Sequence, residues 1–102
     1  MEEVVKKVVR KVKLPVIIFK QGGMYVVYSP AIDLSSCGKK LSEAKQNFAE
    51  AVEIFFGELE EMGTLEEVLL DLGWEKKGRW NKMYPPSIVE SGAKEFNVQC
   101  PI

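Results

Sequence analysis

The chain of 102 residues contains no histidine. That absence removes the commonest general base and the commonest zinc ligand together. Cysteine is scarce: Cys37 and Cys100 are the only two, with no Cys-x-x-Cys spacing. Such a pair can be a disulfide or two thiols, and a cytosolic chain favours the thiols. Aspartate is equally scarce, with Asp33 and Asp71 alone, and no calcium-loop spacing forms around them. No apolar run approaches the roughly 18 residues of a membrane helix. The Met-Glu-Glu start, with charges interrupting its valines, does not read as a signal peptide. The expected location is the cytoplasm, with no membrane partner.

These absences narrow the chemistry. The usual serine or cysteine nucleophile paired with histidine is ruled out. Gly22-Gly23 is too short to cradle a phosphate and lacks the lysine and hydroxyl that follow such a loop. Cys37 reads as a small turn residue. The expectation is a protein that is not an enzyme and holds no cofactor and no metal.

What is present is ordinary in amount and uneven in placement. A hydrophobic fraction of 46% and a charged fraction of 28% suit one globular domain. The net charge of −1 hides a division. Residues 1–13 carry five cations against two acids, residues 42–75 carry ten acids against Lys45, and Lys76, Lys77, Arg79 and Lys82 follow. The acidic half repels phosphates and attracts a basic partner. The plainer reading of each glutamate is a solvated helix face.

Along the chain, residues 4–13 suit either a helix face or a strand, and residues 14–20 read as a strand rich in β-branched residues. Gly22 and Gly23 supply a tight turn, Tyr25–Tyr28 a second strand, and residues 33–38 a third. Leu41, Ala44, Phe48, Val52, Phe55, Leu59 and Met62 step by three and four, which draws one apolar stripe on a helix over 41–62. Gly63 suits a left-handed helix end. Thr64 and Glu67 have capping-box spacing for a second helix over about 65–72, which Gly73 closes, with Trp74 packing back on the core. "RWNKMYPP" has room for one short strand, and "KEFNVQC", residues 94–100, alternates Phe96, Val98 and Cys100 with polar neighbours as a strand does. No linker cuts the chain. The predicted fold is α+β: an antiparallel sheet of three to four strands packed by one long helix. The core spans 14–62, the second helix 64–73 and a C-terminal β extension 75–102.

Residues 14–74 resemble the HicB-like antitoxin family. The resemblance rests on order and spacing: Gly23, Tyr25, Val26, Pro30 and Asp33, then Gly38, Glu43 and Ala44, then Glu50 and Ala51. "GTLEEVLLDLGW" also resembles the helix that follows this core in many members. The resemblance implies a partial RNase-H-like arrangement without its nuclease carboxylates, and a protein that binds and masks a HicA-type RNA-cleaving toxin. The motif residues are read as shape-setting. Two departures stand out. Residues 75–102 show no helix-turn-helix or ribbon-helix-helix, and Lys40 stands where the family usually has a capping threonine, leaving Ser42 to cap the helix instead.

The expected mechanism is occlusion of the toxin's RNA-binding face, with acidic side chains replacing phosphates. Glu53, Glu60, Trp80 and Tyr84 are the candidate partner-binding residues. A homodimer or larger homo-oligomer is expected, formed by the sheet edge or the last strand. The alternative is an orphan oligomeric module of the same fold, binding nucleic acid weakly through Lys6, Lys7, Arg10 and Lys11 and through Lys76, Lys77 and Arg79. In that reading Trp80 stacks on a base; its competing role is core or interface.

Overall fold

The computed structural model describes residues 11–101. The ambiguous segment 4–13, and Lys6, Lys7 and Arg10 with it, lies largely or wholly outside them. The chain is α+β. Strands β1 (Ile17–Gln21), β2 (Met24–Ser29) and β3 (Leu34–Gly38) precede helix α1 (Leu41–Met62) and helix α2 (Leu65–Asp71), and a small hairpin of β4 (Glu75–Lys77) and β5 (Lys82–Tyr84) follows.

The first three strands form one antiparallel meander in the order β1-β2-β3. Gly22 and Gly23 both take positive φ, 56° and 80°, as a two-residue turn of the right twist requires. The register sets Ile18 opposite Val27 and Val27 opposite Ser36. β1 starts three residues later than residue 14. Leu14 packs against the cluster around Trp74 instead, and Pro15 has no N–H for a ladder.

Helix α1 lies on the Val27 face and contacts β3 and β2. Val27, Ala44 and Phe48 form one buried cluster; Ala31, Ile32, Leu69 and Trp74 form a second, and Leu34 and Val52 touch both. The predicted stripe is therefore buried at Ala44 and Phe48 and half-buried at Val52, Phe55 and Leu59. Its ends are exposed at Leu41 and Met62, as is Ile54 on its flank.

Both helices stop in the same way. Gly63 takes φ 69°, its N–H donates to the Glu60 carbonyl and that of Thr64 to the Leu59 carbonyl. Gly73 takes φ 94°, its N–H donates to the Leu70 carbonyl and that of Trp74 to the Leu69 carbonyl. This is the paired bonding of a glycine-terminated helix.

It also explains why the expected capping box does not form. The Thr64 N–H, which Glu67 was to accept, is already donated to Leu59 at 3.0 Å. Thr64 has ψ 7°, not the extended backbone of a cap, and its buried hydroxyl has no hydrogen-bond partner among the described residues. Ser42 does not cap α1 either. The helix begins at Leu41 behind an extended Lys40, with no side-chain cap.

The C-terminal region departs from expectation in two ways. Residues 75–84 hold a hairpin rather than one strand. Residues 94–100 have no strand structure; their alternation is present, but no neighbouring strand among the described residues pairs with them. Strand geometry needs a partner to satisfy its backbone groups.

Candidate protein-binding surface

The motif residues act on shape. Gly38 abuts the start of α1, where an added Cβ would fall 2.7 Å from the Ala44 backbone nitrogen. Ala44 is itself completely buried. Gly38 and Ala44 are thus small for one reason, the close approach of strand to helix. Asn47 holds the same junction, its Nδ2 donating to the Cys37 carbonyl at 2.9 Å. Pro30 follows the last residue of β2. Asp33 adopts φ 50° in the turn before β3 and accepts the Tyr28 hydroxyl at 2.9 Å. That bond raises the Tyr28 pKa, with desolvation and the carboxylate's charge adding to it. Tyr25 packs beside Val27, and the Lys20 ammonium lies 5.0 Å above its ring. Glu43 and Glu50 are exposed and Ala51 is half-buried. Glu43 stands in the first turn of α1, where the helix dipole favours a negative charge.

Trp74 closes the end of the fold. It is buried, donates its indole N–H to the Ala31 carbonyl at 2.7 Å, and meets Phe56 edge-on at a centroid distance of 6.3 Å. The packing of Trp74 was legible in the sequence. Its partner was not: Ala31 and Ile32 sit in a turn and carry no periodic signal.

An open groove runs between residues 11–16, the second half of α1 and the stretch from Trp80 to Ile88. Val52, Phe56, Leu69 and Trp74 contribute apolar lining, while Glu53, Glu60 and Glu61 bring carboxylates to it. Trp80 and Tyr84 line the hairpin side. Glu53, Glu60, Trp80 and Tyr84, far apart in sequence, are therefore brought together along one groove. Lys11 lines it as well.

The charges on the two sides differ in how far they are neutralised. Helix α1 carries Glu43, Glu50, Glu53, Glu58, Glu60 and Glu61, all exposed, and none has an ion-pair partner among the described residues. On the hairpin, Lys76 pairs with Glu66, and Lys77 with Glu75 at 3.4 Å. Arg79 lies 5.6 Å from the Trp80 ring centre, and Lys77 and Lys82 both approach Tyr84. Trp80 is 85% exposed and belongs to no core cluster of the described residues. Gly78 and Asn81, both at positive φ, form the hairpin tip that projects it.

Reactive groups do not converge. Cys37 and Cys100 are exposed free thiols. Among the described residues no three metal-capable side chains come together, and no helix is long and apolar enough to cross a membrane. Compared with family models, curated proteins and solved structures, the chain finds no match in any of the three.

Proposed function

We propose that this chain is a non-catalytic, cytoplasmic protein-binding module that masks a small basic partner, as a HicB-like antitoxin masks a HicA-type toxin. The observation that carries the reading is the set of six exposed α1 carboxylates without cation partners among the described residues, three of which, Glu53, Glu60 and Glu61, line an apolar groove. A basic RNA-binding face would find there a substitute for phosphates, and Trp80 and Tyr84 offer the large amphipathic side chains that anchor interfaces. The partial RNase-H-like arrangement belongs to this reading, as does a homodimer or larger assembly, which the bare outer edge of β1 supports.

The test is co-expression with the short basic protein of the adjacent reading frame. Relief of its growth arrest and co-purification are expected, and Glu53→Lys with Glu60→Lys should weaken the complex at least tenfold, since interface charge reversals cost several kcal/mol. Absence of both rescue and co-purification overturns the reading.

The exposure of Trp80 among cations favours a second reading, weak nucleic-acid binding by an orphan oligomeric module. Retention on duplex DNA that falls steeply with salt is its signature. No retention at low salt removes it.

A further inference from the structure

Two parts of this molecule are built like strands that lack a neighbour among the described residues. One is the outer edge of β1. In a two-residue hairpin the closing pair, Gln21 and Met24, exchanges both ladder bonds, so Ile17 and Phe19 bond to β2 while Ile18 and Lys20 point their N–H and C=O groups outward. Every residue of β1 is exposed, including Ile17, Ile18 and Phe19. On the face away from α1, Ile17 and Phe19 continue the apolar surface of Val26 and Tyr28. The other is the C-terminal stretch, where Val89, Phe96 and Val98 are exposed and residues 95–100 alternate polar and apolar without a ladder. The radius of gyration is 17.5 Å, against about 13 Å for a compact chain of 100 residues.

We propose that residues 94–100 of one chain pair antiparallel with the outer edge of β1 in a second copy, giving a symmetric arm-exchanged dimer. This rests on the homo-oligomer reading above and specifies its contact. One register satisfies both charge and pattern. Glu95 stands opposite Lys20, which sets Phe96 opposite Phe19 and Val98 opposite Ile17. The acid meets the base on the α1 face, and the two apolar pairs extend the surface of Val26 and Tyr28. A slip of one residue would send Phe96 to the wrong face.

The arm supplies a fourth strand, and the free backbone groups of Ile18 and Lys20 gain partners. Pairing brings the exposed Phe96 and Val98 against the exposed Phe19 and Ile17 in both copies, so part of each is withdrawn from water twice over. Exchange of identical elements closes by two-fold symmetry and leaves no open end for further growth.

Sedimentation and cross-linking test this directly. The full chain is expected to sediment as a dimer. A chain ending at Ala93, and the full-length Phe96→Asp, Val98→Asp variant, are expected to sediment at half that mass with unchanged far-ultraviolet dichroism. In chains where Cys37→Ser and Cys100→Ser remove the native thiols, a Lys20→Cys chain mixed with a Glu95→Cys chain should form a disulfide-linked heterodimer, because facing strand residues lie within disulfide reach. A dimer that survives truncation, or a dimeric mixture of the Lys20→Cys and Glu95→Cys chains that forms no disulfide-linked heterodimer, overturns the arm exchange and leaves the homo-oligomer reading standing. A monomeric full chain overturns both.

Discussion

β1 and β2 are the two strands of one hairpin, paired across the ladder and both carrying large apolar side chains, yet their fates differ. Ile18 and Val27 face each other on the same side of the sheet; Val27 is 3% exposed and Ile18 is 40% exposed. Nothing in the composition of either strand accounts for this. β2 is central and lies beneath α1, whereas β1 is an edge that α1 barely reaches. The same contrast separates the end closed by Trp74 from the bare C-terminal arm. Apolar patterning marks a surface to be covered, and only the tertiary arrangement decides whether the chain itself provides the cover.

The largest break in this contrast comes from removing the plug. Trp74→Ala takes away a buried indole and its bond to the Ala31 carbonyl, opening the cover over Ala31 and Ile32. The expected loss is about 3–5 kcal/mol in urea unfolding, a large part of a small domain's stability. The matched truncation Phe96→Ala should change the unfolding of the isolated monomer by no more than about 0.5 kcal/mol.

A facing pair gives a finer comparison. Val27→Ala removes two methyl groups from beneath Phe48 and should cost about 1.5–3 kcal/mol. Ile18→Ala, directly across the ladder, removes more carbon but from an open surface, and should cost the monomer about 1 kcal/mol or less. Equal losses would mean that β1 is covered in the single chain.

How much of this was legible follows from where the information lies. The length and C-terminal end of helix α1 could be read, because its stripe is unbroken and Gly63 takes the left-handed conformation that ends it; its start could not, because the cap expected at Ser42 does not form. The first hairpin was equally plain, because Gly22-Gly23 suits one turn. β4 could not be read: Glu75-Lys76-Lys77 has no apolar period, and the strand exists because β5 pairs with it. Residues 94–100 misled in the opposite direction, since alternation states a preference and pairing needs a partner. The Thr64–Glu67 box failed because the preceding helix end had already used the Thr64 N–H. Glu53, Glu60, Trp80 and Tyr84 were nameable singly by charge and aromaticity, but their meeting in one groove depends on how α1 and the β4–β5 hairpin flank it. A sequence shows local chemistry well and adjacency poorly.

The smallest effect concerns the exposed face of β2, where Tyr28 donates to Asp33. Folding raises the Tyr28 pKa above its ordinary value. The folded state therefore holds this proton more tightly than the unfolded chain does. The bond's contribution to stability is full below about pH 10 and fades as pH rises through the raised folded value. Asp33→Asn keeps a residue that tolerates positive φ and removes the charge. It should return the Tyr28 phenol toward its ordinary titration, which ring-labelled tyrosine resonances followed through alkaline pH would read. Stability of the native chain and of Tyr28→Phe should differ at neutral pH and converge at high pH. A difference that persisted there would assign Tyr28 a packing role instead, and would mean that the open face of β2 is held by contact rather than by this one bond.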